Sequence, residues 1–477
     1  MRPIPASLPR DEFLAHLQQV LERIDGGLSA SLERLFELLR FPSVATDPRY
    51  HDDCRKAAEW LKREFDTMGF ATSLRGTTGQ PVVLAKYAPE GLPSHAPHVL
   101  FYGHYDVQPA DPIELWTSPP FEPQVRKGKD GKNRIFARGA SDDKGQLMTF
   151  LEATRAWLSV HGTLPFRLTI LLEGDEEGDS THLDRFVAGN RRELAADVAF
   201  ICDTGLWDDD TPAIITSLRG CIYEEVCITG PKIDLHSGEL GGPALNPIKV
   251  LSRVLAAMHG TNGRIAIPGF YDGVKPVSPA LRRQWAKLNF PAKRFLKDVG
   301  LGIPAGENAF TPLEQMWARP TAEVNGIWGG YRGAGMKTVL PSQASAKLSF
   351  RLVAGQSPKH VRKVFREFVR VRLPDDCRAS FISQGGDNSG VSVDGGSKWV
   401  MAAKSALAEE WGKSPLLAGA GYSIPVVQSF KKHLKIDSLL VGFERVDDNA
   451  HSPDEKYDVE CFHKGIRSWA RIISQFA

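Results

Sequence analysis

Cysteine is scarce in this chain: six in 477 residues (Cys54, Cys202, Cys221, Cys227, Cys377 and Cys461), with no CxxC spacing among them. That excludes a disulfide framework and a cysteine-built zinc site, and the thiols are expected to be reduced and mostly buried. No run of eighteen apolar residues occurs, so no membrane-spanning helix is expected. The stretch from Met1 to Arg10 lacks the apolar core of a signal peptide, which makes the cytoplasm the default compartment. An excess of one charge sign is missing too. Lys and Arg number 59 against 57 Asp and Glu, the net charge is +2, and the charges are dispersed, which argues against nucleic-acid and membrane-surface partners. Internal repeats and low-complexity tracts are absent. What remains is the composition of a globular protein, 42% hydrophobic and 24% charged, long enough for two domains of unequal size.

Phe13, Leu14, Leu17, Val20, Leu21 and Ile24 recur at helical intervals and predict a helix over 11–24. Gly26 and Gly27 are expected to break it before a second helix carrying Leu32, Leu35, Phe36 and Leu39. A third helix is expected over 53–68, capped by Asp52 and Asp53, followed by strands at 71–75, 81–87 and 98–103. Alternation of helix and strand points to an α/β sheet. From about 216 the texture changes, and the strand 221–228 alternates polar and apolar residues as a half-exposed antiparallel sheet does. A helix at 246–258, a loop-rich stretch over 260–340, a strand at 344–353, a helix at 358–371 and a strand at 378–383 complete a two-layer α+β module. The α/β texture then resumes with a helix at 397–411, a glycine-rich turn at 419–423, a strand at 437–443 and a final helix from about 457. The expected domains are therefore 1–215 and 390–477 as one α/β domain, with 216–389 inserted.

Ligand-type side chains collect where the apolar strands stop. His104 and Asp106 follow the strand expected at 98–103, Asp142 and Asp143 one at 135–138, Glu176 and Glu177 one at 166–172, and Asp203 one at 198–201, while His451 sits in a late loop. Each has a purely structural alternative. Asp142 or Asp143 suits a helix cap, Glu176 and Glu177 a solvated turn, Asp203 a cap, and His104, His236 and His451 ordinary hydrogen-bonded positions. Those alternatives do not explain so many ligand types at one sheet edge, the edge where open α/β sheets bind ligands. Two histidines, several carboxylates and no cysteine suit a zinc-type or manganese-type centre. Five candidates oversupply one metal, but serve two ions about 3.5–4 Å apart that share a carboxylate.

The set Gly103-His-Tyr-Asp106, Arg138-Gly-Ala-Ser-Asp-Asp-Lys-Gly145, Glu173-Gly-Asp-Glu-Glu-Gly178, Asp234-Leu-His-Ser-Gly238 and Asn449-Ala-His-Ser-Pro453 resembles the dizinc peptidase family of carnosinase, glutamate carboxypeptidase, acetylornithine deacetylase and succinyl-diaminopimelate desuccinylase. The resemblance covers nearly the whole chain in order. It implies a mixed-sheet α/β catalytic domain with an inserted lid that carries dimer contacts. It implies His104 and Asp203 on one zinc or manganese ion, Glu177 and His451 on the other, Asp142 bridging them, and a cis peptide bond between Asp142 and Asp143. Asp106 would orient His104, and Glu176 would be the general base for a water held between the ions. In the lid, His236 would reach a neighbouring subunit's site, Arg351 would grip a substrate carboxylate, and Thr338 and Ser423 would contact substrate. Two departures stand out. Gly419-Ala-Gly-Tyr-Ser-Ile-Pro425 replaces the Arg-Glu-Gly-Gly-Ser-Ile-Pro run of carnosinase-like members, and Gln384 stands for a lid histidine of some relatives. The long insertion and the segment Val324-Asn-Gly-Ile-Trp-Gly-Gly-Tyr-Arg-Gly-Ala-Gly335 resemble the large-lid dipeptidases. The expected activity is hydrolysis of dipeptides or short peptides with a free C-terminal carboxylate by a cytoplasmic homodimer. The rivals are an amidohydrolase of N-acyl amino acids and a non-catalytic binding protein.

Overall fold

The parallel strands of a mixed sheet set the geometry of the first half of the chain. The computed structural model describes residues 10–178, 181–383 and 385–476, so Gln384 lies outside the described residues. Two compact units result. One consists of residues up to Thr216 with Val393–Ala418 and Ser429–Ala477, the other of Ser217–Ser392 with Gly419–Gln428. In the first unit the sheet runs in the order Ala71–Arg75, Val82–Tyr87, Arg167–Glu173, His98–His104, Val198–Ile201, Asp437–Val441 and Ala213–Leu218. The four strands from Arg167–Glu173 to Asp437–Val441 pair in parallel, and the outer pairs are antiparallel. Parallel strands covered on both faces read as continuous apolar runs, and Val99, Leu100, Phe101 and Tyr102 are all fully buried. Phe101 stacks on Phe150 of the helix Lys144–His161 at 3.8 Å between ring centroids, with Trp469 of the helix Val459–Ser474 edge-on to both. Because the parallel strands share a direction, His104, Glu173 and the Cys202-Asp203 pair all emerge at one edge.

Several local expectations change. A single helix, Arg10–Leu39, replaces the two expected around Gly26 and Gly27. Neither glycine has a positive φ, and Leu17, Val20, Leu21 and Ile24 before them share one core with Leu35, Leu38 and Leu39 after them. Burial on both sides of the pair outweighs the roughly 1 kcal/mol that each mid-helix glycine costs. The next helix is His51–Thr67, and its entry is a 3-10 turn, Pro48–Tyr50, capped by Asp47 through the Arg49 N–H. Asp52 and Asp53 therefore sit in its first turn rather than at its cap, where their charge still complements the helix dipole. The strand expected at 135–138 lies at Asn133–Phe136, between two strands that were not expected, Gln124–Lys127 and Lys456–Asp458, since segments this short and polar carry no readable alternation. This small antiparallel sheet pairs the approach to Asp142 with the chain just beyond His451.

The second unit is a two-layer module. Its antiparallel sheet runs Thr321–Gly329, Gln343–Leu352, Gly220–Thr229, Arg378–Ser383, and Leu348, Phe350 and Leu352 alternate inward to meet Val250, Val254, Val361 and Phe365 from two helices, Pro247–Ala256 and Pro358–Arg370. The stretch over 260–340 holds three short helices, Pro279–Ala286, Ala292–Asp298 and Pro312–Trp317. Gly419–Gln428, grouped by sequence with the second part of the catalytic domain, clusters with this unit instead: Arg219 Nε donates to Gly421 O at 2.9 Å and Arg219 N to Tyr422 O at 3.1 Å. Gly419 and Ala420 close a strand, Leu416–Ala420, rather than opening a turn. No helix among the described residues is long and apolar enough to cross a membrane.

Candidate metal centre

At the edge of the first unit's sheet, donor atoms of His104, Asp142 and Asp203 lie within 4.8 Å of one another, and so do those of Asp142, Glu177 and His451. The two groups share Asp142, and its two oxygens divide between them. Oδ1 is 3.1 Å from His104 Nε2, and Oδ2 is 2.9 Å from His451 Nε2. His451 Nε2 is also 3.2 Å from Glu177 Oε2. Nitrogen and carboxylate donors in two sets of three with one bridge suit a pair of divalent ions of zinc or manganese type.

The charges of this cluster point the same way. Burial works to raise Asp142, but hydrogen bonds from His104 and His451 outweigh it and hold its carboxyl well below the usual range. Asp203 is pushed up to about 7 by burial, His104 offsetting part and Asp142 adding to it. Burial also raises Glu176 well above an ordinary glutamate, against the attraction of His104. On the other side of the ledger, hydrogen bonds to Asp142 and Glu177 raise His451 to about 10. The cluster holds more buried acid than base, an imbalance that protonation relieves in the metal-free chain and that divalent cations would offset.

The supporting contacts assign some residues duties that the sequence did not reveal. Asp106 lies fully buried, with its carboxylate accepting the N–H groups of Glu176 at 3.2 Å and Glu177 at 3.0 Å. His104 Nδ1 is 3.1 Å from the main-chain oxygen of Asp106 and 3.5 Å from its carboxylate. Asp106 thus fixes the glutamate pair as well as the imidazole. Gln108 Nε2 donates to Glu177 Oε2 at 2.9 Å. The peptide bond between Asp142 and Asp143 is cis. Asp143 stands at the N-cap position of Lys144–His161, yet its side chain caps nothing; Oδ2 accepts the His104 N–H at 3.0 Å. Neighbouring Ser141, a further residue that suits a cap by type, directs its hydroxyl to Asp448 instead. The capping expectation fails because both side chains have partners deeper in the site.

The remaining candidates belong to the second unit. His236 and Thr338 adjoin in a two-stranded ribbon, Leu235–His236 with Val339–Leu340, where Ser237 N donates to Thr338 O at 3.0 Å. His236 is exposed and its Nδ1 accepts the Gly238 N–H at 3.1 Å. Arg351 pairs with Cys221 across the sheet, and the Cys221 thiol is 3.9 Å from Ser423 Oγ. Burial and the neighbouring Arg351 lower Arg219 to about 10, and Arg219 Nη1 is buried without a partner among the described residues.

A family profile described as peptidase family M20/M25/M40 matches residues 100–475. The Cys-Gly metallodipeptidase DUG1 of Candida albicans is 30% identical over 472 residues, covering 95% of this chain and 96% of that one. The Beta-Ala-His dipeptidase of Homo sapiens is 28% identical, covering 98% of this chain and 91% of that one. Among solved structures, an M20 family metallo-carboxypeptidase, Sso-CP2 from Sulfolobus solfataricus, superposes with a TM-score of 0.79 at 29% identity over 94% of this chain and 99% of that one. A profile spanning most of the chain and a relative matched almost end to end at 30% identity have one meaning: this chain is a hydrolase and belongs to peptidase family M20/M25/M40.

Proposed function

We propose that the chain is a metal-dependent dipeptidase acting on dipeptides or short peptides with a free C-terminal carboxylate. The observation that carries the reading is Asp142, whose two oxygens face two separate ligand groups. His104 and Asp203 would hold one ion, Glu177 and His451 the other, with Asp142 common to both, zinc or manganese being suited to these donors. Two divalent ions bound there supply positive charge that acidifies water and polarises the scissile carbonyl. Glu176 is the general base: it takes the proton from the attacking water and passes it to the departing amine. Burial raises Glu176 above an ordinary glutamate in the metal-free chain, and two cations beside it would favour the carboxylate form that a base requires. Asp106 keeps this base in position through the N–H groups of Glu176 and Glu177.

Arg351 is the carboxylate grip, suited by its planar fork, and the unpaired Nη1 of neighbouring Arg219 adds to the positive field on that sheet. Thr338 and Ser423 are further substrate contacts. His236 serves the oxyanion. With Nδ1 accepting from Gly238, its proton resides on Nε2, which points a donor away from its own turn. It does so in the active site of a second subunit, and the protein is a homodimer. The six cysteines are all free, as suits a reducing, cytoplasmic setting. Metal analysis of the purified protein together with a substrate panel tests the reading. Two metals per chain and cleaved dipeptides are expected; exclusive cleavage of N-acetyl or N-succinyl amino acids would establish an amidohydrolase instead.

A further inference from the structure

The loop that presents Asp142 has no regular structure between the strand Asn133–Phe136 and the helix Lys144–His161. Its buried N–H groups therefore need partners from elsewhere. One side chain supplies three of them. Glu455 Oε1 accepts Ser141 N at 2.9 Å and Asp142 N at 3.0 Å; Oε2 accepts Gly139 N at 2.8 Å and the Arg138 guanidinium at 2.8 Å. The Glu455 main-chain oxygen accepts Ala137 N at 3.2 Å. Glu455 is 0% and Arg138 1% exposed. A second arm comes from Asp448, which accepts the Ser141 hydroxyl at 3.1 Å and also binds Arg445 N and the Lys456 ammonium.

Asp448 and Glu455 flank His451 in sequence, and His451 needs outside support. Its side chain is 53% exposed and its backbone has φ 62°, so packing does not orient it. We propose that Glu455, with Asp448 as its second arm, is a positioning residue that fixes Asp142 relative to His451 and so completes the ligand group Asp142, Glu177 and His451. This rests on Asp142 and His451 being metal ligands. A simple buried ion pair with Arg138 would need only Oε2; here both oxygens are committed, three of the four bonds going to backbone N–H groups of the Asp142 loop.

Glu455→Gln keeps the shape but turns an amide NH2 toward donors, which must shift the loop. Wild type, Glu455→Gln and Ser141→Ala are stripped of metal and titrated with Co2+, reading heat and the visible spectrum of each binding step, with melting of the metal-free proteins alongside. Glu455→Gln is expected to weaken Co2+ binding about 10–100-fold at the Asp142, Glu177 and His451 group and to change the spectrum of that step most, the other step shifting less because Asp142 serves it too. Ser141→Ala, which removes only the Asp448 arm, should weaken the same step less. Two steps and two spectra identical to wild type in Glu455→Gln would overturn the proposal whatever its melting temperature. Should that variant not fold, wild-type binding by Ser141→Ala would overturn it instead. A wild-type protein that takes up no Co2+ would sink the metal-centre reading, a different failure.

Discussion

Glu176 and Glu177 are neighbours in sequence to which the proposed function gives different duties, base and ligand, and substitution should separate them. Glu176→Gln removes a base but no ligand, so it should retain both metals and lose about 10²–10⁴ in turnover; metal content near wild type with that loss is the signature, and unchanged turnover would remove Glu176 from its role. Asp142→Ala should empty both sites where His104→Ala chiefly weakens one, since among the described residues Asp142 alone presents an oxygen to each group; retention of both metals by Asp142→Ala would return it to a structural part. These residues were legible because each is a ligand type at the end of an apolar strand. Glu455 and the glutamate-holding half of Asp106's work were not. An acid that accepts backbone N–H groups looks in sequence like any other acid, because its partners are peptide groups that every residue carries. Asp143 misleads for the opposite reason: it occupies a cap position, while its carboxylate binds the N–H of His104 across the sheet edge.

Helix boundaries depend on tertiary burial that local pattern does not report, and the helix Arg10–Leu39 demonstrates it. Gly26 and Gly27 looked like a stop, but their surroundings are open enough that a Cβ at Gly26 would touch nothing within 4 Å. Gly26→Ala should therefore stabilise the protein by about 0.5–1 kcal/mol through reduced backbone freedom in the unfolded chain, measured as a rise in the urea midpoint; a fall would mean that the helix needs the glycine. The same helix meets Lys144–His161 at a pair of histidine rings, His16 and His161, 4.5 Å apart between centroids. Burial and, next, the proximity of His16 lower His161 from 6.5 to about 4. Above pH 6.5 both the folded and the unfolded states leave it neutral. As pH falls from there toward 4 the unfolded chain takes up a proton that the fold refuses, so stability is lost across that window. His161→Phe, stacked on Trp157 as the imidazole is, should flatten the melting temperature between pH 6.5 and 4; an acid limb as steep as wild type would place the sensitivity elsewhere.

At the level of the molecule, the interrupted α/β texture was readable because a half-exposed antiparallel sheet and a buried parallel one have different hydrophobic periods. The return of Gly419–Gln428 to the second unit was not, since it rests on bonds from the Arg219 side chain and main chain to the main-chain oxygens of Gly421 and Tyr422. The dimer proposed above has a direct consequence, because His236 and Glu176 of one subunit would then serve different active sites. A His236→Ala subunit keeps its base but denies its partner the donor; a Glu176→Gln subunit lacks the base but offers a donor. Each variant alone should be nearly inactive. In a mixed dimer, the site built on the His236→Ala subunit receives its histidine from the other chain and is whole. Random reassortment of equal amounts gives roughly half mixed dimers with one whole site of two, or about a quarter of wild-type activity. Unfolding and refolding the two variants together, then assaying dipeptide hydrolysis, reads this number. Activity no higher than the sum of the separately refolded variants would mean that His236 works in its own subunit, or that the subunits do not exchange, and a size measurement on differently tagged chains tells those apart.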